Sequence, residues 1–446
     1  MKKRNLLYIV PLILLASCKP NIDEFSPSKG NADFSSYIAV GDSWTAGFAD
    51  GALYKSGQEN SFPNILAGQL GFAGGGPFNQ PLMLDDNGIG LSTGVPKPKL
   101  QMGFHPDCKE VISLMPKYVD EAVDMKNLDA LVSDIPYNNI STPGMKSFYM
   151  GVAGLAALNP YYGRFASSPS NSVNDEIPLV NATFFTLWLG SYDILAYAIG
   201  GGNDPANQIT PVATFSGSLQ LTLSRLTENG AKGAVANIPD LIDAPFFHTI
   251  PYNVLAIDQA SADALNAAYA GLNLLIKSLG YNDTLHFTAG QNPIVIQDNS
   301  LAWGMRQVKS TELVLLSLPQ DSLKCAGWGS QKPVPAQFIL DETEIGSLKQ
   351  AVDDYNNAIS QIVSGQDLAL VDMFSVMKSV NDGLVFDNVN VSARFVTGNF
   401  YSTDGLNPTP IGSAVIAHYF IDAINTKFDA MIPQVIVSDY PGVKLP

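Results

Sequence analysis

The chain has 446 residues, of which 46% are hydrophobic and 15% charged. That composition supplies a large apolar core and excludes global disorder. Its 25 Lys and Arg against 41 Asp and Glu leave a net charge of −16, which argues against nucleic acid as a partner.

The N-terminus carries Lys2, Lys3 and Arg4, then an apolar run from Leu6 to Leu15 broken only by Pro11. Such a run is too short to span a bilayer as a helix, so residues 1–17 are expected to be a signal peptide. The sequence Leu15-Ala16-Ser17-Cys18 resembles the lipobox of bacterial lipoproteins. The resemblance implies cleavage before Cys18 and lipid attachment to its thiol. Loss of Lys2, Lys3 and Arg4 then takes the charge from −16 to −19. Acyl chains rather than a basic patch would hold the protein to a membrane. Asp23 and Glu24 resemble the surface-export signals of Bacteroidetes lipoproteins. The expected location is therefore the cell envelope, at the outer membrane, on its periplasmic or surface side. Residues 18–35 form the lipidated cysteine and a polar tether.

Residues 36–446 are expected to form one domain. Tyr37-Ile38-Ala39-Val40 is a short apolar run stopped by Gly41, the pattern of a buried strand before a sharp turn. Thr183 to Leu189, Ala234 to Ile238 and Leu368 to Val371 have the same character. Such runs suit parallel strands covered on both faces. Gly71 to Lys99 is rich in Gly, Pro and Asn and reads as loop. Helical periodicity covers Phe215 to Leu226, Ala260 to Leu279, Glu342 to Val363 and Pro408 to Ile424. Strands alternating with helices predict a parallel α/β sheet, whose ligands bind beyond the C-terminal strand ends. A mixed insertion occupies about residues 281–340.

The first strand leads into Gly41-Asp42-Ser43-Trp44-Thr45-Ala46-Gly47. A serine there projects its hydroxyl at the C-terminal edge of the sheet. A helix beginning at that point would direct free N–H groups toward an oxyanion. The plain alternative is an ordinary turn whose serine caps a helix.

Here the sequence resembles the SGNH, or GDSL-type, hydrolases, and the likeness extends from about residue 36 to the C-terminus. Phe78-Asn79-Gln80-Pro81-Leu82-Met83 and Asn159-Pro160-Tyr161-Tyr162 look like large lipoprotein members from Bacteroidetes. The resemblance implies an α/β three-layer sandwich with a parallel flavodoxin-like sheet. It makes Ser43 the nucleophile. Asn138 to Gly144 resembles the block that supplies an oxyanion-hole glycine, matching Gly144. Gly190-Ser191-Tyr192-Asp193 stands where a G-x-N-D block belongs, with Tyr192 at the oxyanion asparagine. Asp404-Gly405-Leu406-Asn407 stands where D-x-x-H belongs, with Asn407 at the histidine. The expected site is therefore Ser43, Asp404 and Asn407, with an oxyanion hole of Ser43, Gly144 and Tyr192.

The two departures matter chemically. A serine hydroxyl is a poor nucleophile until a neighbour takes its proton, and an amide has no usable basicity. Tyr192 retains a hydroxyl that can donate to an oxyanion. Four histidines exist: His105, His248, His286 and His418. His248, in a loop after the Ala234–Ile238 strand, is the first to check as a substitute base; His418 lies roughly 16 Å along a helix from Asn407. Cys108 and Cys325 either pair in an oxidising compartment or remain two buried thiols. No cofactor and no metal are expected. Two functions compete. One is ester hydrolysis by a lipase, esterase or carbohydrate deacetylase acting on an acyl ester or acylated glycan. The other is non-catalytic binding of glycan or lipid in the same pocket. A monomer is expected in either case.

Overall fold

The computed structural model describes residues 25–91, 94–202 and 204–446. The signal peptide and Cys18 lie outside the described residues. Among the described residues no helix is long and apolar enough to cross a membrane.

Four strands form a parallel sheet: Tyr37–Gly41, Phe184–Trp188, Lys232–Ala236 and Leu368–Val371. They lie side by side in chain order. The register pairs Tyr37 with Phe184, Phe184 with Lys232 and Leu368 with Gly233. Every residue of the first two strands is buried, which is why both read as unbroken apolar runs rather than alternating ones. The third strand ends at Ala236 rather than at the expected Ile238. The Ile238 amide leaves the ladder and donates to the Asn356 side chain at 2.7 Å. A flavodoxin-like order would add a strand beyond the first. Among the described residues only a single parallel bridge forms there, with Ala39 donating to the Asn138 carbonyl and Ile140 donating back to Ala39.

Helices pack on this sheet in two groups. Phe62–Phe72 and Pro410–Phe428 lie together, with the Phe62 and Phe420 rings stacked at 4.9 Å. Val212–Thr227 and Glu342–Ser364 form the other group, with Phe215 stacked on Tyr355 at 4.0 Å. Each fully buried ring stabilises the core by roughly 1.5–3 kcal/mol. Asp341 and Glu344 close a reciprocal capping box at the start of Glu342–Ser364. The last helix starts at Pro410 and not at Pro408, because Thr409 is its cap and accepts the Gly412 amide at 3.1 Å.

The insertion has its own small core, including Ile294, Ile296, Val308, Val334 and Ile339. Arg306 pairs there with Asp298 at 2.7 Å and Glu312 at 2.6 Å. A second excursion is the antiparallel hairpin of Leu100–Pro106 and Ile112–Tyr118. His105 lies on that hairpin. Cys108 at its tip forms a disulfide with Cys325, with Cα atoms 6.4 Å apart. Lys324 adds an ion pair to Asp107 at 3.0 Å. Of the two alternatives open in the sequence, the cysteines pair.

Candidate active site

The first strand ends at Gly41, where a side chain would meet Thr45 Oγ1 at 2.1 Å. Only glycine lets the chain turn that tightly. Asp42 caps the next turn by accepting the Trp44 amide at 3.3 Å. The helix that follows spans only Ser43–Ala46 before Gly47 adopts a left-handed conformation. The sequence suggested a helix able to aim a dipole at an oxyanion. One turn is too short for that. Ser43 is partly exposed at the C-terminal edge of the sheet.

Gly144 reaches Ser43 because its segment is sewn to the edge of the first strand. Asn138 donates to the Tyr37 carbonyl at 2.8 Å, and Asn139 to the Thr45 carbonyl at 2.9 Å. Gly144 takes φ +76°, a conformation glycine adopts without strain, and its amide donates to Ser43 Oγ at 3.4 Å. The second strand ends at Trp188, and Gly190 caps the start of the helix Ser191–Ile199. Tyr192, in its first turn, sets its ring beside Gly144, 3.8 Å from where a Cβ would stand. Asp193 accepts the Ser147 amide and hydroxyl, both at 2.7 Å, and so fixes the loop that carries Gly144.

Asp404 and Asn407 arrive from the C-terminal part of the chain. The Asp404 carboxylate accepts the backbone amides of Gly51, Leu406 and Asn407 at 2.8–2.9 Å. It also accepts Asn407 Nδ2 at 2.9 Å. Burial raises its pKa, opposed by these donors. Trp44 Nε1 donates to the Leu406 carbonyl at 3.2 Å, tying this loop to the serine turn. Sequence reasoning missed a second tie at Asp50. Its carboxylate accepts the Thr403 amide at 3.0 Å and hydroxyl at 2.7 Å, while Ser402 Oγ accepts the Asp50 amide at 2.9 Å. Nothing in the local sequence pattern marks a residue whose partners lie more than 350 positions away.

These groups face one cleft, lined among others by Asp42, Ser43, Trp44, Tyr192, Asp240 and Asn407. About 20 Å³ is open there to the centre of a water molecule, room for about one ordered water. The structure thus brings together Ser43, Tyr192 and Asn407, with Gly144 bonded to the serine and Asp404 behind the asparagine. No histidine lines the cleft. His248 Nε2 bonds the Ile242 carbonyl at 2.8 Å instead. His418 lies 3.5 Å from Asp422 on the last helix. The His105 ring bonds the Pro106 carbonyl, and the His286 amide donates to Gln307.

The carboxyls carry the unusual electrostatics. Burial, with repulsion from Asp193, pushes Asp42 up to about 7 against the pull of the Trp44 and Tyr192 amides. Burial, then the neighbouring Asp243, raises Asp240. Among the described residues no group of three or more His, Cys, Asp or Glu is arranged to hold a metal ion.

No family model matches the chain, and no curated protein matches it. Among solved structures it is similar to an extracellular lipase from Streptomyces rimosus. Identity is 11% over 87% of this chain and 99% of that one, with a TM-score of 0.33. A likeness that low assigns neither fold nor role.

Proposed function

We propose that this chain is a serine ester hydrolase of the SGNH type, anchored to the bacterial envelope through Cys18 and acting on acyl esters or acylated glycans. The observation that carries this reading is the 3.4 Å hydrogen bond from the Gly144 amide to Ser43 Oγ, in a cleft that Asn407 also lines. Ser43 Oγ would attack the acyl carbon. The Ser43 and Gly144 amides would hold the oxyanion, with the Tyr192 hydroxyl in place of the asparagine. Asp404 fixes Asn407, whose amide carbonyl is then free to accept the Ser43 hydroxyl and orient it. Asn407 cannot carry the proton away. Loss of the base costs on the order of 10^6 in turnover in a well-studied triad enzyme, so slow turnover is expected unless another group serves.

The absence of any histidine from the cleft lining favours a second reading, a lipoprotein that binds glycan or lipid without chemistry. The two separate on labelling of the full, detergent-solubilised protein with a fluorophosphonate probe beside Ser43→Ala. Labelling that disappears in the variant supports the hydrolase. A folded wild type that stays unlabelled at high probe concentration leaves the binding reading.

A further inference from the structure

The missing imidazole leaves a chemical vacancy that the cleft itself addresses. Three carboxyls stand near Ser43. Asp404 sits behind Asn407, with three backbone amides and one side-chain amide on its oxygens. Asp42 is occupied as a cap, accepting the Trp44 amide. Asp240 differs. It begins the turn Leu241–Asp243 with no side-chain capping bond of good geometry and only a weaker pull from the Ile242 amide. It lines the same cleft as Ser43 and Asn407.

Its backbone is held from both sides. Asn356 clamps Ile238, accepting the Ile238 amide and donating to its carbonyl, both at 2.7 Å. Asn381 donates to the Asp243 carboxylate at 2.7 Å. His248 holds the carbonyl of Ile242 at 2.8 Å. The turn is also docked on the Asp404 loop, through the Phe246 amide and the Gly405 carbonyl at 3.1 Å. Three side chains and one loop contact thus hold the segment that carries Asp240. That is the support expected of a group held for chemistry.

We propose that Asp240 is the catalytic base of this site, taking the Ser43 proton directly or through the one water the cleft admits. The proposal rests on the hydrolase reading above. As the Ser43 Oγ–acyl carbon bond forms, the hydroxyl proton passes to the Asp240 carboxylate. The ester C–O bond then breaks, and the leaving alkoxide takes that proton from Asp240 and departs as the alcohol. In the second half a water gives its proton to Asp240 as its oxygen attacks the acyl carbon. The Ser43–acyl bond breaks, Ser43 recovers the proton, and the carboxylic acid leaves. Burial and Asp243 raise the Asp240 carboxyl, with Asp353 adding to the repulsion and Lys349 and the Ile242 amide opposing it. The buried Tyr401 hydroxyl also lies in the field of Asp240 and Asp243. A carboxylate in that field is a stronger base than one in water.

The test is the fluorophosphonate labelling rate of the full detergent-solubilised protein as wild type, Asp240→Ala, Asp240→Glu and Asp240→Ala with added formate. Thermal unfolding confirms that each variant is folded. Asp240→Ala is expected to label about 100-fold more slowly, with formate restoring much of the rate, since a small carboxylate can enter the vacated space. Recovery in Asp240→Glu is a further sign of the same role. Equal labelling of Ser43 in wild type and Asp240→Ala overturns the proposal and leaves the hydrolase standing. Slow labelling that neither formate nor Asp240→Glu recovers also overturns it, making Asp240 structural. An unlabelled wild type removes the hydrolase reading and this base together.

Discussion

Replacing Asn407 with histidine asks whether the rest of a triad survives around the gap. Asn407 Nδ2 lies 2.9 Å from Asp404 Oδ2, where an imidazole N–H would bond the same oxygen. The second ring nitrogen would then face Ser43, because Asn407 lines the cleft with it. A positioned general base contributes roughly 10^2 to 10^4, or about 2.7–5.4 kcal/mol of barrier. Against this stands the cost of fitting a ring into a cleft with room for about one water, typically 1–3 kcal/mol of overpacking. The expected net gain in turnover is up to about 10^3. The assay is the initial rate on p-nitrophenyl acetate against pH, where a new limb should appear near the histidine range, raised by the Asp404 carboxylate. In this background Asp240→Ala should cost far less than in the wild type, since two bases would be redundant. A folded Asn407→His protein with unchanged rate and no new limb would refute the reasoning, because Asp404 and Ser43 would then not be arranged as triad partners.

Tyr192→Phe removes the hydroxyl beside Gly144 and should lower kcat on the same substrate by about 10^2 with KM little changed; an unchanged kcat excludes the hydroxyl from the oxyanion hole. Asp42 is raised to about 7 in the folded protein from an ordinary value of 3.8. The native state therefore binds its proton more tightly, so this group's contribution to stability falls as pH rises from about 4 to about 7. Chemical denaturation at both pH values should show that fall in wild type and lose part of it in Asp42→Asn; identical slopes would contradict the assignment. Cys108→Ser with Cys325→Ser opens a bridge spanning 217 residues. The chain-entropy relation gives about 5 kcal/mol for that span, and dividing by the unfolding entropy of the whole chain gives a fall in Tm of about 6 °C. A scanning-calorimetry shift below about 1 °C would show that the reduced unfolded chain is not freed by the loss.

The sheet was legible because its strands are hidden on both faces. Tyr37–Gly41 and Phe184–Trp188 carry no polar alternation, and each ends at or close to a glycine that turns the chain. Ser43 was legible for the same reason, since its turn needs Gly41 for space and Gly47 for handedness. Strand ends were less so: Ile238 is apolar enough to extend its strand, and only the distant Asn356 draws its amide away. The site's supports were hidden for a related reason. Asp50, Asn356 and Asn381 act on residues more than 100 positions away, and an isolated polar residue does not announce its partner. Asp240 was passed over because Pro239-Asp240 reads as an ordinary turn; its cleft-facing position depends on the Asp404 loop packed beside it.

The bridge between Cys108 and Cys325 also divides the sheet topologically. The strands Phe184–Trp188 and Lys232–Ala236 lie inside the covalent ring it closes, whereas Tyr37–Gly41 and Leu368–Val371 lie on the two tails. The ring strands pair with each other, and each tail adds one strand to an outer edge. Ser43 sits on one tail and Asp404 with Asn407 on the other, so the two halves of the candidate site meet only when both tails have docked. Cross-linking a pre-formed ring would leave that last step as a diffusive search by two free ends, slow because its contacts are distant in sequence. A reduced chain faces the same search with the central pair unconstrained as well, so oxidation state should alter the time course by which the cleft assembles more than the cleft that results.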